Sequence, residues 1–202
     1  ITRPEAETEH VAKRLRGRSF YLSLLAEVAA DWLLRELNLP PNCVLFAGGG
    51  RFDLPLPTSA QSRLTELRDK LDGWLLAEFQ GELGLHIAVS EARPADLADM
   101  RRVYQTLDER LERSKRQKWQ GHFQDEQFFQ PKQALWHVCR ICQLTPLPEP
   151  GTCAQCAQHA HIGQHLPHAT HLVYVYDSTA IDLPADQVID FRRSPFEMRV
   201  AI

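Results

Sequence analysis

The chain has 202 residues, of which 44% are hydrophobic and 24% charged, and its formal net charge is −3. This balance fits an ordinary globular protein of one large domain, or one medium domain plus a small one, and gives no global argument for nucleic-acid binding. No apolar run approaches the length that spans a bilayer, and Ile1-Thr2-Arg3-Pro4-Glu5 lacks the apolar segment of a signal peptide, so no membrane contact and a cytoplasmic location are expected.

From Glu5 to Leu37, Val11, Leu15, Tyr21, Leu22, Leu25, Val28, Ala29, Trp32 and Leu33 recur at helical spacing, until Asn38 and Pro40-Pro41 end the pattern. The first half of this helix is basic, with Lys13, Arg14, Arg16 and Arg18 around Gly17 and Ser19. Those residues suit either a solvated face or an anion site in which Arg16, Arg18 and Ser19 meet phosphate. Two short apolar runs follow, Cys43-Val44-Leu45-Phe46 and Phe52-Asp53-Leu54-Pro55-Leu56, separated by Ala47-Gly48-Gly49-Gly50-Arg51. They read as strands joined by a tight glycine hairpin, with lone Cys43 as a small buried core residue. In palm-type nucleotidyl transferases and cyclases the equivalent hairpin carries two metal-holding acids; here those places hold Gly50 and Arg51. Asp53 is the one acid nearby, and pleating is expected to turn it to a different face from Arg51.

A second helix opens at Thr58 or Ser59 as N-cap, buries Leu64, Leu67, Leu71, Trp74, Leu75 and Phe79, and ends at Gly81 and Gly84. Leu85 to Ser90 reads as a half-buried strand. The order helix, strand, turn, strand, helix, strand is that of a ferredoxin-like βαββαβ palm lacking its first strand. A third helix is expected from Ala95 to about Lys118, with Leu97, Met100, Val103, Leu107 and Leu111 inward; Arg110, Arg113, Lys115, Arg116 and Lys118 on its later turns suit either a solvated charged face or an RNA or DNA backbone contact. Gly121 to Lys132 reads as an ordered connector.

Cys139-x2-Cys142 and Cys153-x2-Cys156 flank ten residues rich in proline. Two such knuckles can place four thiolates around one ion, and four cysteines imply a closed, structural site. Zinc is the expected metal, with an iron–sulfur cluster using the same ligands as the alternative. Strands are expected over His171–Tyr176, near Val188–Arg192 and near Glu197–Ala201, as a small β element packed on the knuckle. Asp177, Asp182, Asp186 and Asp190 lack calcium-loop spacing. The resulting class is α+β, divided as a palm over 1–94, a helical connector over 95–135, and a zinc knuckle with a small β element over 136–202.

Taken together, Ala12-Lys13-Arg14-Leu15-Arg16-Gly17-Arg18-Ser19-Phe20-Tyr21-Leu22, Phe46-Ala47-Gly48-Gly49-Gly50-Arg51-Phe52, the paired knuckles and Ile162-Gly163-Gln164-His165-Leu166-Pro167 resemble one family in order: the large subunit of type III-A CRISPR effector (Csm) complexes. The resemblance implies a nucleotidyl-cyclase-like, degenerate first palm followed by a zinc-bearing linker. It implies that a second palm, bearing Gly-Gly-Asp-Asp, faces this one to convert ATP into cyclic oligoadenylates. This sequence contains no Gly-Gly-Asp-Asp and no His-Asp pair of a nuclease motif. The segment alone is therefore expected to be inactive, with no catalytic residue of its own. Gly48, Gly49, Gly50 and Arg51, with Arg16, Arg18 and Ser19, would line one wall of a composite ATP pocket. The facing palm would supply the acids and Mg or Mn. Implied partners are that second palm, the other effector subunits and, indirectly, guide and target RNA. The competing expectations are a zinc-knuckle nucleic-acid binder, a self-sufficient cyclase, and an assembly scaffold that never touches nucleotide.

Overall fold

The computed structural model describes residues 11–124, 126–129, 137–176, 188–191 and 194–201. The expected helix start at Glu5, the connector's end at Lys132, Asp177, Asp182, Asp186 and the strand end at Arg192 fall outside them. The chain divides into two compact units, one drawn from Ile1–Pro55 with Pro131–Ile202, the other from Leu56–Gln130. Among the described residues, no helix is long and apolar enough to cross a membrane.

The first unit is built on helix α1, Val11–Glu36. Its second half is buried nearly all round, through Leu24, Leu25, Ala26, Val28, Ala29, Ala30, Trp32, Leu33 and Leu34, which marks a central helix rather than a surface one. It stops where the sequence places the stop. Asn38 adopts a left-handed φ of 53°, its N–H bonds Arg35 O at 3.0 Å, and Leu39 N–H bonds Leu34 O at 2.8 Å. That pair of bonds is a Schellman cap, and Pro40-Pro41 cannot continue the helix.

Strands β1, Phe46–Gly48, and β2, Arg51–Asp53, pair antiparallel beside α1, with Gly48 opposite Arg51. The two turn residues, Gly49 and Gly50, have φ of 60° and 80°. A two-residue turn with both angles positive is the type I′ geometry that matches strand twist and demands glycine or asparagine. The hairpin starts later than expected. Cys43 N–H bonds Pro40 O at 3.0 Å in a turn, so Cys43 is half-buried outside the strand rather than in the core. The second strand ends before Pro55, which has no N–H to give.

Helix α4, Ala154–His165, lies across α1. Gly17 and Gly163 are buried at the crossing. A Cβ on Gly17 would lie 1.8 Å from the His159 carbonyl oxygen, and one on Gly163 would lie 1.8 Å from the Lys13 carbonyl oxygen. The backbones touch, and only glycine permits it. The remaining packing on α1 comes from a sheet ordered β5-β7-β6, formed by Val173–Val175, Arg199–Ala201 and Val188–Asp190, all antiparallel. Phe196 meets Trp32 edge-on at 5.8 Å, Phe191 stacks on Tyr21 at 5.9 Å, and Tyr174 donates to Glu27 at 3.1 Å. The small β element is thus held by α1, where packing on the knuckle was expected; its large buried residues, Ile189, Phe196, Met198 and Val200, find their apolar partners there.

The second unit contains α2, Gln61–Phe79, and α3, Arg101–Arg116. Helix α2 buries Leu64, Leu67, Leu71 and Leu75 of the expected stripe, whereas Trp74 and Phe79 are half-buried and meet edge-on at 5.9 Å. Its start differs: a 3₁₀ turn over Thr58–Ala60 leads into the helix, so neither Thr58 nor Ser59 caps it by a side chain. The expected single helix from Ala95 is broken. Pro94–Ala98 is a 3₁₀ turn, in which Asp96 accepts from Arg93 N–H at 2.7 Å, and Asp99 accepts from Arg101 N–H at 3.0 Å. Short acidic side chains bonding nearby backbone compete with helix propagation, and Leu97 is left 70% exposed. Leu85–Ser90 is extended and half-buried but joins no ladder among the described residues. Among the described residues the architecture is α+β, with three small antiparallel sheets; of the expected palm strands, β1 and β2 pair with each other alone.

Two measurements probe the α1–α4 crossing. Gly17→Ala or Gly163→Ala should destabilise the chain by about 3 kcal/mol or more, the upper end of overpacking costs, because rigid backbone must move. Gly121→Ala, where an added Cβ meets nothing within 4 Å, should stay within about 0.5 kcal/mol; urea denaturation separates the two outcomes. His159 offers the second. It packs edge-on to Tyr21 at 5.2 Å, and its Nε2 is buried without a hydrogen-bond partner. Burial first, then the Arg18 charge, pushes its pKa from 6.5 down to about 4. The unfolded chain then binds the proton first, so this contribution is complete above pH 6.5 and lost as pH falls toward 4. His159→Phe should flatten the rise of stability with pH across that window.

Candidate metal centre

Strands β3, His137–Val138, and β4, Pro146–Leu147, form a short hairpin with His137 opposite Leu147. It carries the first knuckle. Cys139 N–H bonds Thr145 O at 2.9 Å, and Gln143 N–H bonds Cys139 O at 2.8 Å. Gln143 takes a left-handed φ of 56°, which turns the chain back after Cys142. The proline-rich loop then returns, held by Arg140 N–H on Gly151 O at 3.0 Å and Arg140 Nε on Thr152 Oγ1 at 3.1 Å.

The second knuckle is the start of α4. Cys153 is its N-cap, and its Sγ accepts from Cys156 N–H at 3.5 Å. Cys153 N–H in turn points at Cys139 Sγ, 3.2 Å away. The unpaired amides and positive dipole end of a helix favour an anionic sulfur here.

All four Sγ atoms lie within 4.8 Å of one another, and Cys142 Sγ is 4.0 Å from Cys153 Sγ. A tetrahedral ion with bonds of about 2.3 Å sets its sulfurs about 3.8 Å apart, whereas a disulfide needs about 2.05 Å. The donor set thus fits an ion. Cys139, Cys153 and Cys156 are buried, Cys142 is half-buried, and Ile141 and Leu147 pack against them. The charge balance argues the same way. The Cys156 thiol bonding to it, followed by the Cys156 backbone N–H and the Thr145 hydroxyl, holds Cys153 down to about 4 despite burial. The same hydrogen bond, with burial and the neighbouring sulfurs, pushes Cys156 up. Burial opposes ionisation at Cys142, yet amides of Thr145 and Leu144 and the Thr145 hydroxyl leave its pKa lowered. Protons alone cannot let four adjacent sulfurs ionise together; a divalent cation can.

Each remaining site residue has a definite place. Arg16 donates through Nη1 to Gly163 O at 3.1 Å, a carbonyl in the last turn of α4, so it serves the helix crossing. Arg18 and Ser19 are exposed on α1, and Arg18 lies close enough to His159 to lower its pKa. Gly48, Gly49, Gly50 and Arg51 form the hairpin tip, and nothing lies within 4 Å of where a Cβ would stand on Gly49 or Gly50. Arg51 forks onto Asp53, Nε to Oδ1 at 3.2 Å and Nη2 to Oδ2 at 3.3 Å. This corrects the expected placement of Asp53: residues two apart on a strand share a face, so the acid sits beside Arg51. The cysteines are the set drawn into one site. Sequence reasoning missed Thr145, which supports two of them, and the pairing of Gly17 with Gly163; each glycine interrupts a helical pattern, which was the available signal.

Comparison with known proteins defines the class. A family model described as Csm1 subunit domain B matches residues 5–134, and the chain belongs to that family. The match takes in α1, the hairpin and the second unit, and stops short of the four knuckle cysteines. Among curated relatives, each called a CRISPR system single-strand-specific deoxyribonuclease Cas10/Csm1 (subtype III-A), the protein of Methanocaldococcus jannaschii is 34% identical over 89 residues, 44% of this chain and 11% of the relative. That of Enterococcus italicus is 32% identical over 113 residues, 53% of this chain and 15% of the relative. That of Mycobacterium tuberculosis is 38% identical over 74 residues, 36% of this chain and 9% of the relative. The chain therefore matches only a small fraction of the length of these relatives.

The metal content is directly measurable. Elemental analysis should find one zinc per chain, lost in Cys139→Ser and Cys153→Ser and retained in Cys43→Ser. Chelation should lower the melting temperature of the parent chain and leave Cys139→Ser unchanged; a metal-free parent of equal stability would remove the structural role.

Proposed function

We propose that this chain is the degenerate first palm and zinc linker of a large subunit of a type III-A CRISPR effector complex, and that its glycine hairpin forms one wall of a composite ATP pocket for cyclic oligoadenylate synthesis. In this reading residues 1–94 are the degenerate, ferredoxin-like palm, lacking its first strand. A second palm supplies the carboxylates and Mg or Mn, while the four cysteines hold zinc as a structural clasp. Other effector subunits are the partners, with guide and target RNA acting at a distance, in the cytoplasm.

The observation that carries this reading is the hairpin tip. Gly49 and Gly50 present bare backbone with open space above them. Such a surface lets a ligand approach more closely than any side chain would. The acid nearest the tip, Asp53, is ion-paired to Arg51 and is one carboxylate where phosphoryl transfer uses several groups around its metal. Both points favour a wall over a catalytic centre. The chain also carries neither a His-Asp pair nor Gly-Gly-Asp-Asp, so the nuclease and synthase chemistry would lie elsewhere in the subunit. The assembly-scaffold reading has its own support: Leu45 and Phe46, beside the turn, are 61% and 49% exposed, as apolar residues at an interface would be.

The test uses the complete, RNA-loaded effector. Bulky residues at Gly49 and Gly50 should lower oligoadenylate synthesis by about tenfold or more, the cost expected when a bound reactant is misplaced by about 1 Å or more, with assembly intact. Arg51→Glu, which leaves both turn glycines in place, should also lower it by weakening the hold on phosphate. Unchanged synthesis in all three would sink the pocket role and leave the scaffold. The isolated segment given ATP and divalent metal should form no product.

A further inference from the structure

The second unit holds a feature that neither the cysteine site nor the hairpin accounts for. Between α2 and α3, floored by the extended run from Gly84 to Val89, lies an open cleft of about 830 Å³. Four permanent cations line it, Arg68 from α2, Arg110 and Arg113 from α3 and Lys118 beyond it, against two acids, Asp69 and Asp72. The residues follow from helix spacing. Arg110, Arg113 and Gln117 fall three and four apart, which puts them on one side of α3 or its continuation, and Gln61, Thr65, Arg68 and Asp72 do the same on α2.

Two of the cations are held by backbone carbonyls, one of them in the floor, rather than loose in solvent. Arg110 donates to the Val89 carbonyl, and Lys118 Nζ donates to Gly81 O at 2.5 Å while lying 5.1 Å over the Trp119 ring. Side chains held this way pay less ordering entropy on binding. Lys118 also acts on His86 in the same cleft. Burial, then Lys118 and Lys115, hold its pKa below 6.5. Asp72 shows the opposite balance: burial raises it, and Arg68 and His122 oppose that rise. The wall of the cleft is therefore cationic, with one partly buried acid subtracting from it.

We propose that this cleft binds the phosphodiester backbone of a single-stranded nucleic acid, with Arg68 and Arg113 as direct phosphate contacts. The cations are spread along the cleft instead of converging on one point. Within α3, Arg110 and Arg113 stand about 4.5 Å apart along the axis, and Lys118 lies beyond the helix end, so the charges follow one another and suit successive phosphates. Guanidinium groups on two facing helices match phosphate oxygens bidentately, which a solvated charged face has no need to arrange. The site is independent of the nucleotide role given to the hairpin, and its residues all lie in the second unit.

Fluorescence anisotropy of a labelled twelve-nucleotide RNA or DNA with the whole chain tests it. Binding should weaken with salt, with a log–log slope of about −2 to −3 for three or four neutralised phosphates. Arg68→Glu with Arg113→Glu should weaken binding about tenfold or more and flatten that slope by about one or more, with an unchanged circular-dichroism melt. Asp72→Asn should tighten binding, a gain that misfolding does not produce. Salt-independent binding, or wild-type binding by both variants, would overturn the assignment. So would displacement by ATP at matched phosphate concentration as efficient as by unlabelled strand, which would mark a mononucleotide site.

Discussion

The first unit depends on one contact, the crossing of α1 and α4 at Gly17 and Gly163. Each glycine in a helix interior costs about 1 kcal/mol relative to alanine, and here both stand where a single methyl group would enter the partner's backbone. The close approach returns that cost through dispersion contacts where the two backbones touch and through the Arg16 bond to Gly163 O. Everything else in the unit refers to the same helix. The hairpin lies along α1, and the β5-β7-β6 sheet packs on it through Trp32, Tyr21 and Glu27.

This arrangement gives the cysteine cluster a mechanical meaning. Cys153 and Cys156 occupy the first turn of α4, and Gly163 lies in its last turn. A helix of 12 residues spans about 18 Å and is stiff over that length. An ion held by the four sulfurs would fix the N-terminus of α4, and with it the angle at which its other end meets α1. A closed sulfur site at one end and a backbone crossing at the other make α4 a strut, with His159 buried between them at the face toward Tyr21. An isolated hairpin of two-residue strands such as β3–β4 has little stability of its own, so the ion would supply what the small local core of Ile141 and Leu147 lacks.

How legible this was depended on how strictly chemistry ties a residue to its place. Tetrahedral coordination leaves few solutions, so the two C-x2-C pairs announced their cluster. The Asn38 and Pro40-Pro41 stop and the Gly49-Gly50 turn were equally readable, because left-handed backbone angles restrict the residue types that can supply them. Gly17 was harder. In the run Arg16-Gly17-Arg18 it reads as a spacer in a phosphate site, and only the partner helix, nearly 150 residues later, reveals it as a contact surface. The extended run Leu85–Ser90 has a strand's pattern, but pattern specifies a face and not a partner. The break before α3 came from Asp96 and Asp99 capturing nearby amides, a local competition that apolar periodicity does not register.

The hairpin tip is where the corrected geometry matters most. With Asp53 on the same face as Arg51, the two charges neutralise each other, so the tip is not a standing positive patch. The pair is partly exposed, and such pairs contribute about 1 kcal/mol or less. A phosphate, carrying more charge than a carboxylate, would compete readily for the guanidinium fork. In the proposed role Asp53 therefore acts as a placeholder that orients Arg51 until anion arrives, and it is unsuited to hold metal while so engaged. The specificity of that wall would then come less from charge than from the bare backbone of Gly49 and Gly50, whose positive φ angles exclude most side chains irrespective of what lies above them.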